Sequence, residues 1–445
     1  MFSQVPKRVV VQGKAGSGKS TVIHAMTTLL TEKLGADSFK LVAPTGAAAL
    51  NIGGSTLHSV FKLFGKLRDL HPLQGEAERR FQLEFANVRF IICDEYSMVG
   101  CILLSAVNKR CQQAKANYQE AFGGMHFYLI GDIKQLPPVM NTSFYQPLRD
   151  IKSLEAKEGK AIFDSFQRCF FLTTSQRQST DQYGFKEILD RISYNEATAE
   201  DFNVLVRRRP ALIVNFNTEW KDAVRLFPTR EAVHSYNLDM LQELKTPVAK
   251  IEALWNNSTA RNASSDAAQG LEAVVCLSKG SRVMLRVNLW TERGLVNGAL
   301  GTVMDILYEA GKRPPADQPI AILVKFDKYT GPTFPETPDW FPIVPITKHF
   351  TDKNVSCTRT QFPLSLAWSV TIYKSQGLTM DRVVVDIGNT EMQSGITYVA
   401  LTRVRTLDNI VFNPPFNLQR LQKLGKGEII AKRRALENHL STLTE

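Results

Sequence analysis

Short apolar runs alternate with longer stretches of helical periodicity through the first half of the chain. Runs of four or five mostly apolar residues predict buried strands at Arg8–Gln12, Lys40–Ala43, Phe90–Cys93 and His126–Ile130. Strands that alternate with helices are typical of a parallel sheet with helical crossovers. Open sheets of this kind bind their ligands at the carboxyl ends of the strands. We therefore expect an α/β fold whose functional residues lie in the loops that follow these strands.

The alternation is interrupted once and then resumes. The charged stretch Gly65–Ala86 predicts a small helical insertion. Past Asp150 the pattern predicts strands at Phe170–Leu172 and Val224–Phe227, and helices near Phe185–Ile192, near Glu200–Arg208 and from Arg230. The polar stretch Trp255–Gln269, rich in Asn, Ser and Ala, predicts an exposed loop.

The texture changes from about Ala273 to Phe350, where Gly- and Pro-rich turns separate short apolar runs. This pattern predicts a small all-β insertion with strands Arg282–Arg286, Gly301–Ile306, Ala321–Phe326 and Ile343–Ile346. Strand–helix alternation then returns, with elements predicted at Ser365–Lys374, Arg382–Asp386 and Ile396–Arg403. The basic tail after Asn417 predicts a terminal helix.

Composition narrows the class of protein. A chain of 445 residues corresponds to about three domains, and its net charge of +11 with a pI of about 9.3 favours a polyanionic partner such as nucleic acid. Its six cysteines form no CxxC pair, which argues against a zinc site and a disulfide framework. No apolar run approaches the roughly 20 residues of a membrane span, and no signal peptide precedes the first strand. We expect an intracellular protein that does not bind membranes.

A phosphate-binding loop follows the first predicted strand. The run from Gly13 to Ser20 matches G-x-x-x-x-G-K-[ST] in full, and it opens a helix as the motif requires. Glycines let backbone N–H groups turn inward around phosphates at a helix start, whose dipole favours anions. The predicted ATP contacts are Gly13, Gly16, Ser17, Gly18, Lys19, Ser20 and Thr21. Lys19 is expected to reach the β- and γ-phosphates, and Ser20 to bind Mg²⁺.

Two carboxylates end the third predicted strand. Buried strands avoid charge because its burial costs free energy, so two carboxylates directly after Phe90–Cys93, Asp94 and Glu95, indicate a functional role. In a phosphate-loop protein, Asp94 is placed to hold Mg²⁺ and Glu95 to deprotonate the attacking water. Gln135 follows the next strand within the run from Gly131 to Pro138, where it is a candidate γ-phosphate sensor. Taken alone, that run also has the character of a rigid turn.

Together these segments resemble the petite-integration-frequency (Pif) helicases, a superfamily 1B group related to RecD-like and rolling-circle-transposon helicases. The resemblance rests on the phosphate loop and on a series of further segments in the family's order: Ala43–Ala49, Ser55–Ser59, Asp94–Met98, Gly131–Pro138, Arg177-Gln178, Ser365–Gly377 with Asp381, and Tyr398–Arg403. Gly280–Leu285 with Val296–Gly298 resembles the start of the family's SH3-like insertion.

The resemblance implies two RecA-like P-loop domains with parallel sheets, a small 1B insertion and an SH3-like all-β 2B insertion. The expected ranges are 1–150 for domain 1A with 62–88 as 1B, 165–272 for the first part of 2A, 273–360 for 2B, and 361–445 for the second part of 2A with the basic tail. It also implies ATP-driven 5′-to-3′ movement on single-stranded DNA. Arg177 and Arg403 become the cations that act on the γ-phosphate, and Gly377 joins the nucleotide contacts.

Single-strand contacts are expected from loops away from the ATP site. Thr45, between Pro44 and Gly46, offers hydroxyl and backbone groups to a phosphate. Lys374 and Ser375 also suit a phosphate, whereas His58 and Tyr373 suit base stacking. For His58 a satisfied core histidine is the alternative, and Tyr373 departs from the family, which usually has His there.

The predicted function is thus an ATP-dependent DNA helicase that acts on single strands and single-strand/duplex junctions as a monomeric core. Other replication or repair proteins are further candidate partners, and the expected location in a eukaryotic cell is the nucleus or the mitochondrion. Two alternatives remain open. One is a DNA-stimulated translocase without robust unwinding. The other is a nucleic-acid-binding module with an inactive ATPase, against which the full set of motor residues argues.

Overall fold

The computed structural model describes residues 5–63, 67–174, 184–290, 293–312, 317–332, 339–352, 355–422 and 427–444. By its internal contacts the chain divides into a first unit, Met1–Phe216 with Thr379–Glu445, and a second unit, Asn217–Leu378. None of the helices within the described ranges is long and apolar enough to cross a membrane.

The elements follow one another in the alternation that the sequence predicts. The strands are β1 Arg8–Gly13, β2 Phe39–Ala43, β3 Ser55–Thr56, β4 Phe90–Cys93, β5 His126–Gly131, β6 Arg168–Leu172, β7 Val224–Phe227, β8 Ala249–Glu252, β9 Leu254–Trp255, β10 Val274–Leu277, β11 Arg282–Leu285, β12 Leu300–Leu307, β13 Ala321–Phe326, β14 Trp340–Ile343, β15 Ile346–Asp352, β16 Val355–Gln361, β17 Leu364–Leu366, β18 Ser369–Thr371, β19 Val383–Val385 and β20 Ile410–Phe412. The helices are α1 Lys19–Leu34, α2 Gly46–Asn51, α3 Leu57–Val60, α4 Gly75–Glu84, α5 Cys101–Lys115, α6 Leu154–Asp164, α7 Phe185–Ser193, α8 Ala199–Val206, α9 Phe216–Glu219, α10 Arg230–Glu243, α11 Ser258–Asn262, α12 Ile372–Ser375, α13 Ile396–Leu401, α14 Leu418–Gln422 and α15 Gly427–Ser441.

A six-stranded parallel sheet forms the centre of the first unit, in the order β3-β2-β4-β5-β1-β6. Val10 and Ile91 on its central strands are fully buried, because helices cover both faces. Local signals start two helices of this unit, α6 and α8: the side chains of Ser153 and Thr198 each accept a hydrogen bond from the backbone N–H three residues later. The predicted parallel α/β architecture is confirmed.

The edge strand β6 corrects the expected domain boundary. We placed residues 165–272 in the second RecA-like domain, but β6 (Arg168–Leu172) pairs in parallel with β1 and completes the first sheet. The apolar run Phe170–Leu172 reveals a strand, yet nothing in it identifies the partner strand. The predicted helical insertion is present as α4, whose Phe81 is buried in the core of this unit.

The first unit also contains elements from the end of the chain. Strand β19 pairs in parallel with β20, and the predicted terminal helix is two helices, α14 and α15. Leu436 and Leu440 of α15 are buried in the same apolar cluster as Phe81. The backbone N–H of Cys169 in β6 donates to the carbonyl oxygen of Leu443 (3.1 Å) just beyond α15.

The second unit has a small parallel pair and a larger antiparallel part. Strand β7 pairs in parallel with β18. The antiparallel sheets have the orders β14-β13-β12-β11-β17, β15-β16-β9 and β10-β8, which confirms the predicted all-β insertion. The strand predicted at Ile343–Ile346 is wrong: β14 ends at Ile343 and β15 begins at Ile346, with Pro345 between them. Proline has no N–H for a strand ladder, so the extended run breaks there.

The exposed loop predicted at Trp255–Gln269 is also wrong. Trp255 pairs with β16, and Ser258–Asn262 forms helix α11. One cause is Arg359, a fully buried side chain that donates to the carbonyl oxygens of Leu271 (2.8 Å) and Ala263 (2.8 Å) and also to that of Ala260. The side chains of Asn256 and Asn257 add hydrogen bonds to the backbone of β16. A guanidinium group with several donors satisfies carbonyl groups that an exposed loop would leave to water.

Gly159 provides a test of the close packing between α5 and α6. An added Cβ at Gly159 in α6 would lie 1.8 Å from the carbonyl oxygen of Cys101, the first residue of α5. We expect Gly159→Ala to lower the free energy of unfolding by about 3 kcal/mol, although alanine alone favours a helix. Thermal or urea denaturation measures it. Gly427→Ala is the control, because an added Cβ there meets nothing within 4 Å; equal stability of the two variants would contradict the close packing.

Candidate nucleotide and nucleic-acid sites

The phosphate loop joins β1 to α1 and requires its glycines. Gly16 (φ +80°) and Gly18 (φ +87°) adopt left-handed conformations that side chains disfavour. A Cβ on Gly13 would lie 2.3 Å from the Oγ atom of Ser17. Lys19 Nζ donates to the carbonyl oxygens of Gly13 (2.8 Å) and Lys14 (3.0 Å), so its ammonium group lies within the loop. Ser20 and Thr21 follow on the exposed first turn of α1.

The buried carboxylate of Asp94 fits a divalent cation. Burial and the neighbouring Glu95 carboxylate raise the pKa of Asp94 to about 7, whereas the Lys19 ammonium lowers it. Asp94 Oδ1 is buried and has no hydrogen-bond partner among the described residues. A desolvated, unsatisfied carboxylate oxygen beside a phosphate loop is a suitable Mg²⁺ ligand, whether direct or through water. The structure thus brings together Lys19, Asp94 and Glu95 as predicted.

Glu95 has an unusual backbone. It is buried, and its φ of 53° and ψ of 45° lie in the left-handed region. This conformation costs a residue with a Cβ about 1–2 kcal/mol, and such outliers cluster at functional sites. The strain is consistent with the expected role of Glu95 as the base that accepts a proton from water.

Gln135 belongs to a buried polar group that also includes Asp132. Gln135 Nε2 lies 3.5 Å from Asp132 Oδ2, and Gln12 Nε2 of β1 donates to Asp132 Oδ1 (3.3 Å). Tyr96 OH donates to Gln12 Oε1 (2.5 Å), which ties the segment after Glu95 to the same group. Sequence reasoning gave Asp132, Gln12 and Tyr96 no role. A polar residue inside the apolar strand β1, as Gln12 is, was the available signal.

The structure describes only one of the two arginines that are predicted to act on the γ-phosphate. Arg403 is buried, and it donates from Nε to the carbonyl oxygen of Val399 (2.7 Å) and from Nη2 to Thr402 Oγ1 (2.7 Å). It is therefore not a surface side chain. Arg177 lies outside the described residues. Gly377 has a φ of +83° and belongs to the second unit, just after α12.

The predicted DNA contacts of the first unit lie at two helix starts. Thr45, between Pro44 and Gly46, accepts at its Oγ1 a hydrogen bond from the backbone N–H of Ala48 (3.2 Å), which fixes the start of α2. His58 lies in α3 and is exposed. Desolvation by the surrounding protein lowers the pKa of its imidazole, but a side chain with this much exposed surface is not a core histidine.

The predicted DNA contacts of the second unit include one correction. Tyr373 and Lys374 are partly exposed in α12, and burial together with the Arg286 cation lowers the pKa of Lys374. Ser375 is fully buried, and its hydroxyl donates to the carbonyl oxygen of Ile372 (2.7 Å). A side chain with no exposed surface does not reach a phosphate, so we remove Ser375 from the predicted contacts. The pattern of a short polar turn did not reveal which side chain points inward.

Comparison with known proteins agrees with this arrangement. The family profile described as PIF1-like helicase matches residues 1–194, and a second helicase profile matches residues 346–443. The chain is 30% identical over 417 residues to the ATP-dependent DNA helicase Pif1 of Bdellovibrio bacteriovorus, covering 92% of this chain and 85% of that protein. It is 27% identical to the ATP-dependent DNA helicase RRM3 of Saccharomyces cerevisiae and 30% identical to PIF1 of Xenopus laevis, covering 90% and 91% of this chain. It spans only 62% and 58% of the lengths of those two relatives.

The solved structures to which the chain is similar include Pif1 helicases. The Pif1 helicase of Candida albicans has a TM-score of 0.75 and 28% identity, covering 97% of this chain and 96% of that chain. A Bacteroides Pif1 solved with ADP-AlF3 and single-stranded DNA has a TM-score of 0.68 and 26% identity, covering 98% of this chain and 94% of that chain. With the parallel strands described above, these likenesses establish two RecA-like domains.

Two substitutions test the assignment of Lys19 and Glu95. We expect Lys19→Ala to weaken nucleotide binding and abolish hydrolysis, because it removes the cation inside the phosphate loop. Glu95→Gln keeps the size of the side chain but removes the base, so it should bind nucleotide normally and lower kcat by about 100-fold or more. Binding of a fluorescent nucleotide and steady-state phosphate release measure the two effects. Hydrolysis by Glu95→Gln within a few-fold of wild type would show that another group is the base.

Proposed function

Because the chain belongs to the PIF1-like helicase family, we propose that it hydrolyses ATP to move 5′-to-3′ along single-stranded DNA and to unwind duplex DNA. The observation that carries the proposal is the buried carboxylate of Asp94, which has an unsatisfied oxygen and lies next to Lys19 and Glu95. A nucleic-acid-binding module has no need for a charge buried in this way. An enzyme that binds Mg²⁺ with a nucleotide does.

The motor residues have distinct roles in this proposal. Lys19 binds the β- and γ-phosphates, and Ser20 and Asp94 would hold Mg²⁺, which neutralises phosphate charge when bound. Glu95 takes the proton of the attacking water, and Gln135 orients that water. Arg403, together with Arg177, stabilises the charge that develops on the γ-phosphate. The Bacteroides Pif1 solved with ADP-AlF3 supports a nucleotide as the shared ligand.

DNA binding is proposed for one set of residues in each unit. In the first unit, Thr45 with the flanking Pro44 and Gly46 contacts a phosphate, and the exposed His58 stacks on a base. In the second unit, Lys374 contacts a phosphate and Tyr373 stacks. A lysine whose pKa is lowered by burial and by a neighbouring cation regains its stable charge beside an anion such as a phosphate.

We also propose the arrangement of the domains, the oligomeric state and the location of the protein. Domain 1A is extended to include β6, with 62–88 as 1B, 273–360 as 2B, and the remaining residues from Phe185 onward as 2A. The protein acts as a monomer on single strands and single-strand/duplex junctions. In a eukaryotic cell this substrate assigns it to the nucleus or the mitochondrion.

Tailed duplexes test activity and polarity together. With ATP, the protein should unwind a duplex with a 5′ single-stranded tail and leave the same duplex with a 3′ tail intact, as measured by strand release. Glu95→Gln is the control for hydrolysis. DNA-stimulated hydrolysis without release from either substrate would favour a translocase that does not unwind. An absence of hydrolysis in the wild-type protein would favour a binding module and contradict the proposal.

Salt dependence tests the proposed contacts with phosphates. For about four to six neutralised phosphates, the logarithm of single-strand affinity should fall against the logarithm of salt concentration with a slope of roughly −3 to −4. Lys374→Ala should make the slope shallower by about 0.7, whereas Tyr373→Ala should weaken binding without changing it. Fluorescence anisotropy measures both. A slope near zero would exclude a groove that follows the phosphate backbone.

A further inference from the structure

Asp132 is a fully buried carboxylate that receives four hydrogen bonds. Its Oδ1 accepts from the backbone N–H of Lys134 (3.1 Å) and from Gln12 Nε2 (3.3 Å). Its Oδ2 accepts from Gln135 Nε2 (3.5 Å) and from the hydroxyl of Tyr398 (3.2 Å). Strand β1, the loop after β5 and helix α13 therefore meet at one carboxylate.

The contact with Asp132 fixes which end of the Gln135 side chain is available. A carboxylate accepts hydrogen bonds, so the NH₂ group of Gln135 and not its carbonyl faces Asp132. Gln135 Oε1 is then the free end, and it is buried without a hydrogen-bond partner among the described residues. A buried acceptor of this kind suits a water molecule as its donor, which is what a residue that orients the attacking water requires.

Tyr398 connects this group to the segment that carries Arg403. Tyr398 lies in α13, and Arg403 donates to the carbonyl oxygen of the adjacent Val399. The start of α13 also lies directly against the Gln135 loop: an added Cβ on Gly395 would be 2.8 Å from the carbonyl oxygen of Lys134 and 3.0 Å from that of Gln135.

Arg433 of α15 joins the same two segments from a third side. It is buried, and it donates to the carbonyl oxygens of Lys134 (3.3 Å), Gln135 (3.1 Å) and Ser394 (3.2 Å). The backbone on both sides of the contact between Asp132 and Tyr398 is therefore held independently of the Tyr398 hydroxyl. The Tyr398 hydroxyl also contacts the backbone N–H of Ala15 in the phosphate loop. Removing the hydroxyl would leave the backbone around Gln135 in place.

We propose that Tyr398 is a positioning residue for ATP hydrolysis: by donating to Asp132, it holds the Gln135 side chain with its carbonyl toward the attacking water and couples it to the segment of Arg403. The inference rests on the proposed ATPase activity and assigns to Tyr398 and Asp132 a role in that reaction. Neither residue contacts the reacting atoms in this scheme. Both act through Gln135.

Tyr398→Phe tests the proposal because it removes one oxygen atom and keeps the ring. In the full chain with saturating single-stranded DNA, kcat for ATP should fall about tenfold, the scale of one hydrogen bond to a carboxylate. KM and single-strand affinity should stay within twofold. In a Gln135→Ala background, Tyr398→Phe should lower kcat less than twofold, because the residue through which it acts is absent. Asp132→Asn should lower kcat as Tyr398→Phe does in the wild-type background, and less than twofold in the Gln135→Ala background. If Tyr398→Phe does not fold, Asp132→Asn takes its place in the test.

Tyr194→Phe is the matched control. It removes a hydroxyl that donates to a different carboxylate, Glu437 (2.6 Å), in the same unit. Its kcat should stay within twofold of wild type. A kcat of Tyr398→Phe within twofold of wild type, or a full tenfold loss in the Gln135→Ala background, would overturn the positioning role. Wild-type protein that does not hydrolyse ATP would instead contradict the proposed function, so the two failures are distinguishable.

Discussion

The free-energy cost of burying a carboxylate governs the carboxyl edge of the first sheet. Asp94 and Asp132 follow the neighbouring strands β4 and β5, and both are buried. The protein satisfies them differently. Asp132 receives four donors from within the fold, whereas one oxygen of Asp94 has no partner among the described residues. Asp132 organises the loops around it, whereas the unpaired oxygen of Asp94 is available to a ligand.

The free-energy cost of burying a charge also shapes the second unit, where the buried charge is positive. Arg359 is a fully buried cation, and the carbonyl oxygens around α11 satisfy several of its donors. Its partners lie about a hundred positions earlier in the chain, with sequence separations from 88 to 99. A polar segment that has little apolar surface to bury is thus ordered by hydrogen bonds, several of them to this one side chain.

These long separations explain which features could be predicted from the sequence. The phosphate loop, the strand before Asp94 and the all-β texture depend on neighbouring residues, and the structure confirms them. The pairing of β6 with β1, the order imposed by Arg359 and the contact between Tyr398 and Asp132 depend on residues up to 266 positions apart. Patterns of polarity show that a strand or a loop exists, but they do not show its partner. Ser375 was misassigned for the related reason that a polar residue in a short turn can point inward as easily as outward.

The left-handed backbone of Glu95 has a consequence for how such a protein changes over evolutionary time. Glycine and asparagine adopt this conformation more readily than glutamate does, so either residue would relieve strain of about 1 kcal/mol. Both would also remove the proposed base. Once selection for the motor is relaxed, drift at this position leads toward a more stable and inactive protein. A retained glutamate in such a backbone is therefore a molecular record of continued selection, and its replacement would be an early mark of a decaying gene copy.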